Sequence, residues 1–156
     1  MPKLIVTMAQ ELHNRQAFFN YYIIDKYVAG IVLLGTEVKS IREGKLSFND
    51  SFCLFDSGEL WLRGLFIASY KLGTSNNHIA IHDRKLLLHK KELRKLQQKI
   101  KEKGLTLVPL KVFFTDKNLV KVEIGLGQGK KLHDKRETIK ERDTQKEIKR
   151  ALNKYK

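Results

Sequence analysis

The chain of 156 residues has a single cysteine, Cys53, so no disulfide can close within it and no cysteine-rich zinc site can form. It has no apolar run of the roughly 18 residues that a membrane-spanning helix needs. Met1 to Ala9 is mildly apolar but lacks a charged leader segment and an evident cleavage site, so it is not read as a signal peptide, and a cytoplasmic setting is expected. Acidic residues are in short supply, with 17 Asp and Glu against 31 Lys and Arg, for a net charge of +14. That imbalance points to a polyanionic partner, either nucleic acid or an anionic membrane. Catalytic signatures are also scarce. Cys53 sits in an apolar run where a thiol is ordinarily buried and inert. No serine lies in a nucleophile-elbow glycine pattern. His78 and His82 are four apart in a polar loop without a third ligand, so neither a metal nor another cofactor is expected.

What is present is a body that can bury a core, followed by a charged end. With 42% hydrophobic residues, a body of about 128 residues hides roughly two-thirds of its unfolded surface. Phe18 to Ile24 and Tyr27 to Leu34, rich in aromatic and β-branched residues, read as two strands or one long bent strand. Gly35 to Gly44 reads as a short helix with Thr36 as N-cap and with Val38 and Ile41 facing the core. Asp50–Leu54 and Glu59–Phe66 flank a turn at Asp56-Ser57-Gly58. Arg84-Lys85 leads through three leucines into a helix to about Lys103, with Leu93, Leu96 and Ile100 on one face and Gly104 as its stop. Leu105–Phe114 and Leu119–Leu126 form a closing hairpin, with Pro109 suggesting an edge or a strand start. Five or six strands with a short and a longer helix predict a mainly β fold, a small antiparallel barrel of the oligonucleotide-binding type with two to three helices.

Val120, Val122, Ile124 and Leu126 share one face at period two, the mark of a half-buried strand, and the chain then changes character. Residues 129–156 hold 11 Lys and Arg against 5 Asp and Glu, with only Ile148, Ala151, Leu152 and Tyr155 as a thin apolar stripe. Asp134 and Glu137 resemble a capping pair, and 137/140, 143/146 and 147/150 place opposite charges at i, i+3. Three such pairs contribute at most about 1.5 kcal/mol. Ordering some twenty residues costs about 1–2 kcal/mol each in backbone entropy, so the tail is expected to be disordered when free and helical against a polyanion. The expected organisation is a flexible start over 1–12, an RNA-binding barrel over 13–128 and a basic tail over 129–156.

Two chemistries compete for this scaffold. Asp25 with Glu37-Val38-Lys39 formally matches a magnesium-nuclease arrangement, which needs Glu37 and Lys39 on one face of a strand. The same segment reads as a capped helix, where i and i+2 diverge by about 200°. Nucleic-acid binding without catalysis draws on more of the chain. Arg84, Lys85, Lys90, Lys91, Arg94, Lys95, Lys99, Lys101 and Lys103 crowd one helix and its approach, and Phe18, Phe19, Tyr21 and Tyr22 offer stacking surfaces.

A set of motifs in order makes the second reading specific: Ala29-Gly30; Gly35-Thr36-Glu37-Val38-Lys39-Ser40 with Arg42 and Gly44; Asp50-Ser51-Phe52; Arg84-Lys85-Leu86-Leu87-Leu88-His89; Lys121-Val122-Glu123-Ile124-Gly125; and Gly129-Lys130-Lys131-Leu132-His133-Asp134-Lys135-Arg136. Through these motifs the chain resembles the SsrA-binding (small protein B) family, partners of transfer-messenger RNA in bacterial trans-translation. The resemblance implies an adaptor without catalysis that holds the tRNA-like domain of that RNA and helps it reach stalled ribosomes. There the tail enters the decoding centre and the empty mRNA channel. It places Asn14, Arg15, Leu87 and Lys121 against the tRNA-like domain. Tyr21, Lys39, Arg42, Arg84 and Lys85 complete the expected RNA-binding set. Gly129, Lys130, Lys131, His133, Asp134, Lys135 and Arg136 are expected to engage ribosomal RNA, with Lys140, Arg142 and Ile148 extending that surface. Elongation factor Tu is a further candidate partner in the delivery complex, and no membrane partner is implied. The chain departs from the family pattern at Gln16, Phe19, Val28, Ala80 and His82.

Overall fold

The computed structural model describes residues 11–73 and 77–154. In chain order its elements are β1 (Glu11–His13), α1 (Arg15–Asn20), β2 (Tyr21–Ile31), α2 (Gly35–Arg42), β3 (Leu46–Ser47) and β4 (Phe52–Asp56). Then come β5 (Glu59–Arg63), β6 (Phe66–Ile67), β7 (Arg84–Leu87), α3 (Lys90–Lys103), β8 (Thr106–Phe114), β9 (Val120–Gly129) and α4 (Leu132–Lys154). The main sheet is antiparallel in the order β1-β8-β4-β5-β7-β2-β9, and β9 returns to pair with β8. Six strands therefore form a closed ring, with β3 and β6 as a separate ribbon. The seam is narrow: β4 meets β8 only at Cys53↔Leu107, and β1 covers the remainder of that edge at Lys111, Val112 and Phe113. Closure of this kind removes free sheet edges.

The ring is held by residues at period two. Val122, Ile124 and Leu126 of β9 point inward to meet Leu60, Leu62 and Leu107, all at most 1% exposed. β2 and β9 make the longest pairing, from Tyr21↔Gly129 to Gly30↔Lys121, with a register shift between Ile23 and Asp25 that bends the strand. The β4–β5 connection turns through Ser57 and Gly58, both at positive φ, as a tight two-residue hairpin requires. Pro109 is buried within β8 at a register shift rather than at an edge, and a bulge is the other place where a strand tolerates proline. α3 closes the ring with Leu96, which is fully buried, and ends at Gly104 in the left-handed conformation.

The structure corrects several expectations. Phe18 to Asn20 belong to helix α1, not a strand. Asn14 ties the chain to the β8 bulge by donating its N–H to Leu110 O and its Nδ2 to Pro109 O, each at 2.7 Å, and Ala17 then packs on Val108 and Leu110. That tertiary anchor overrides the strand propensity of the aromatics. Arg84–Leu87 is a strand with Arg84 and Leu86 inward, rather than the approach to a helix. The N-cap of α2 is Leu34 rather than Thr36; Glu37 reaches back to accept the Leu34 N–H at 3.0 Å. At the start of the chain, Glu11 and Leu12 pair with Phe113 and Val112, so the expected flexible segment does not extend to residue 12. Its residues 1–10 lie outside the described residues, as does Tyr155 of the tail stripe.

The tail, expected to be disordered when free and helical against a polyanion, is a 23-residue helix in this structure. Its beginning is anchored: Lys130 N–H donates to Asn20 O at 2.8 Å, and the Lys130 ammonium lies 4.9 Å from the centre of the Tyr22 ring. One turn of register separates the expected cap from the observed one. Asp134 is the third helical residue and accepts the Lys131 N–H at 3.4 Å, which is half of a capping box.

Candidate nucleic-acid interface

Gly30 lies in β2 opposite Leu87 of β7 on one side and Lys121 of β9 on the other. A Cβ at Gly30 would stand 3.3 Å from Leu87 Cβ and 3.6 Å from Lys121 Nζ, so glycine is what leaves room here. The result is a groove of about 310 Å3 bounded by Leu33, Val38, Leu87, Leu119 and Lys121. Leu87 is 50% exposed. Among the described residues no carboxylate lies within 4 Å of Lys121, whereas Lys85 on the same strand as Leu87 is held by Glu59 at 2.9 Å. An apolar floor beside one unneutralised ammonium suits a ribose or base edge with its phosphate. The structure therefore brings Leu87 and Lys121 together and adds Gly30, which the residue-by-residue reading had placed only in a motif.

The remaining expected contacts scatter. Arg15 is exposed at the start of α1, beside an open cleft of about 820 Å3 that it shares with His13, Asn49 and Asp50. Asn14 also borders this cleft, but its side-chain N–H is already committed to Pro109. Tyr21 is half-buried over Gly127, where an added Cβ would come within 3.0 Å of Tyr21 Cβ, so its ring packs the sheet. Lys39 and Arg42 project from α2 over the rings of Tyr70 and Phe114, each at 5.4 Å.

Arg84 is not available to RNA. It is 1% exposed, and its guanidinium donates Nε to Glu37 Oε2, Nη1 to Leu65 O at 2.6 Å and Nη2 to Ala80 O at 3.0 Å. His82 Nε2 reaches the same Glu37 oxygen at 3.1 Å. Burial alone would raise the Glu37 carboxyl, but the Leu34 N–H, the Arg84 guanidinium and His82 outweigh it and hold the group below its ordinary value. Nearby, His78 is buried between the Thr36 hydroxyl and Ile67 O, each at 2.9 Å. This network fastens the long β6–β7 connection to α2. One departure from the family pattern, His82, serves it through its side chain, whereas Ala80 contributes only its backbone carbonyl.

The network removes the nuclease arrangement. Glu37 is consumed by Arg84, while Asp25 is held on β2 by the Lys26 N–H at 2.9 Å, the Tyr27 hydroxyl at 3.0 Å and Lys99 at 3.4 Å. Those partners, led by the backbone N–H, keep the Asp25 carboxyl below its ordinary value. Lys39 is on a helix, turned away from Glu37. Cys53 is buried, and burial pushes its thiol up and out of reactive range.

Charge is distributed unevenly between body and tail. In the body, Lys26, Lys45, Arg63, Lys85, Lys99 and Lys111 each have a carboxylate within 4 Å. In α4 and the two residues before it, the only side-chain contact between a basic group and a carboxylate among the described residues joins His133 Nε2 and Glu137 at 3.2 Å. The expected 137/140, 143/146 and 147/150 pairs do not close, and among the described residues Lys130, Lys131, Lys135, Arg136, Lys140 and Arg142 have no carboxylate partner. Gly129 ends β9 against Tyr21, Lys135 is half-buried, and Ile148 is exposed. Two tail cations instead face aromatic rings: Lys130 over Tyr22, and Arg142 5.5 Å from the centre of Phe19. The spacing of Phe19 and Tyr22, three apart around the end of a short helix, was a signal for this seat that the strand reading concealed.

The family model described as SmpB protein matches residues 11–154. The chain belongs to the SmpB family. Like other members of this family of RNA-binding adaptors it is not an enzyme. SmpB-family relatives named SsrA-binding protein include those of Parabacteroides distasonis, 49% identical over 91% of this chain and 93% of that one. The protein of Trichodesmium erythraeum is 53% identical over 91% of both chains. A solved chain described under tmRNA–SmpB and the bacterial ribosome superposes with a TM-score of 0.67 at 51% identity, covering 79% of this chain and 86% of that one. No helix among the described residues is long and apolar enough to cross a membrane.

Proposed function

We propose that the protein binds the tRNA-like domain of transfer-messenger RNA on its barrel and delivers it to stalled ribosomes for trans-translation, with α4 occupying the decoding centre and the empty mRNA channel. The observation that carries this reading is the uncommitted charge of the tail: nine Lys and Arg between Lys130 and Arg150, seven of them on α4, none within 4 Å of a carboxylate among the described residues, on a helix exposed from Lys140 to Asn153. Such an array is poised for phosphate, because an RNA backbone releases its counterions to it. The groove at Gly30, Leu87 and Lys121 supplies the separate site for the tRNA-like domain, and exposed His133 in the first turn of α4 can stack on a base. The SsrA-binding relatives support the RNA partner. Elongation factor Tu in the delivery complex and a cytoplasmic setting belong to the same proposal.

The division of labour has a direct test. β9 extends to Gly129 and Lys130 still bonds to Asn20, so the tail is removed after Lys131 rather than sooner. The truncated protein is expected to keep its affinity for a tRNA-like RNA and to lose peptide tagging on reconstituted stalled ribosomes. Loss of RNA affinity on truncation would contradict the assignment of the two surfaces.

A further inference from the structure

α3 carries Lys90, Lys91, Arg94, Lys95, Lys99, Lys101 and Lys103 against only Glu92 and Glu102. Lys99 alone has a carboxylate partner, Asp25 at 3.4 Å, and it is partly buried beside Tyr27. Among the described residues the other six have none. Leu93, Leu96 and Ile100 turn one side of the helix into the core, and at 100° per residue Lys91, Arg94, Lys95, Gln98, Lys101 and Glu102 then stand on the opposite side, all exposed.

A helix face that is merely solvated interleaves opposite charges at i, i+4, because those pairs stabilise it. α3 does the reverse. Lys90/Arg94, Lys91/Lys95, Lys95/Lys99 and Lys99/Lys103 are like-charged at that spacing and work against the helix. Glu102, which could have relieved Lys99, accepts the Gln98 amide at 3.0 Å instead. Burial of Leu96, not surface electrostatics, keeps the helix in place, so the cations are arranged for something outside the protein.

We infer that the outer face of α3 is a third RNA-binding surface, separate from the groove and the tail, that grips the phosphate backbone of double-stranded RNA. Single strands are held largely by stacking on aromatic rings, and α3 contains no aromatic residue. Duplex RNA is recognised by shape, phosphate and ribose hydroxyl. The face offers four cations against one carboxylate, Glu102, which is held by the Gln98 amide, over about 15 Å from Lys91 to Lys101. This inference shares with the proposed function only the choice of RNA as the polyanion. The duplex could belong to the tRNA-like RNA or to the ribosome, and the experiment separates these sources.

The full chain and the double variant K91Q/R94Q are titrated against a tRNA-like RNA, against purified ribosomes, and against vesicles of phosphatidylcholine with phosphatidylglycerol, each across a salt series. K26Q/K71Q, with the same change in net charge on other elements, is the control. In whichever RNA arm holds the duplex, K91Q/R94Q should make the slope of log affinity against log salt shallower by about 2, at roughly 0.9 per phosphate contact. The control should not. The inference is overturned if both RNA slopes are unchanged, if the control shifts as much, or if only vesicle binding falls. Wild-type protein that binds neither RNA would overturn the adaptor reading as well; a steep wild-type slope left intact in K91Q/R94Q sinks the α3 surface alone.

Discussion

Replacing Arg84 by Met separates a structural arginine from an RNA-contacting one. The guanidinium is surrounded: Glu37 on one edge, the carbonyls of Leu65 and Ala80 on the other, and no water-exposed face. Removing it leaves a buried carboxylate without its main counter-charge and two carbonyls short of a donor. Breaking a buried ion pair from one side costs about 3–5 kcal/mol. In a protein of this size each kcal/mol lowers Tm by about 2–4 °C, so R84M should melt about 6–20 °C lower. E37Q should cost a comparable amount, since it leaves the buried Arg84 guanidinium without its counter-charge, although the amide oxygen can still accept one of its N–H bonds. The double variant E37Q/R84M should cost less than the sum of the two, because the second change removes the group the first left unpaired. Circular-dichroism melts of the four proteins give these numbers, and anisotropy titrations with a tRNA-like RNA, run well below the lowered Tm, give the binding. The structure expects a large stability loss with affinity of the folded fraction retained. A variant that melts like wild type yet binds RNA weakly would refute the burial argument and return Arg84 to the interface.

Acid should erase part of the same effect. The Glu37 carboxyl is held below its ordinary value, so its contribution is present above the unfolded value and is lost as pH falls through the folded one. Wild type and E37Q should therefore converge in stability towards acid pH and diverge towards neutrality, as paired melts at a series of pH values will show. G30A should weaken binding of a tRNA-like RNA more than it lowers Tm, because the new methyl group intrudes at 3.3 Å on Leu87 at the mouth of the groove. Affinities that do not change would remove the groove from the RNA site. F19A and Y22A should each speed amide exchange in the first half of α4 about two- to fivefold, the equivalent of about 0.5–1 kcal/mol for an exposed cation–π contact. Protection that is indifferent to both rings would mean that they do not seat the tail.

The parts of the fold that were legible in the sequence are those whose signal is local. Val122, Ile124 and Leu126 declare their strand by alternation, Leu93, Leu96 and Ile100 declare α3 by helical spacing, and Gly104 marks its end. Ser57-Gly58 names its own turn. Arg84 was illegible because its partner, Glu37, is 47 residues away and each sits in a run that means something else locally: Arg84 among basic and leucine residues, Glu37 as an acidic residue in the first turn of a helix. Both local meanings hold, for Glu37 does accept the Leu34 N–H, yet its second oxygen answers to β7, the strand that pairs with β2 just before the helix. α1 was hidden for a similar reason. Nothing within Arg15–Asn20 favours a helix over a strand as strongly as Asn14 favours its place on the β8 bulge.

The tail shows how far an entropy argument reaches. Ordering its residues at about 1–2 kcal/mol each is unaffordable from side-chain pairs along the helix, and the structure agrees to the extent that those pairs do not form. The pairs, however, were the wrong source of stabilisation to count. The helix does not begin in solvent: β9 delivers it with Gly129 still paired to Tyr21, Lys130 bonded to Asn20 and the Lys131 N–H capped by Asp134. Nucleation, the costly step in making any helix, is thus carried out by the body. Lys130, just before the helix, and Arg142 within it also rest on Tyr22 and Phe19. Beyond Arg142 every described side chain is exposed and like charges accumulate, so residues 143–154 have only their own propensity to hold them. The order contributed by the body therefore fades along the helix just where the charge available to a polyanion is least committed.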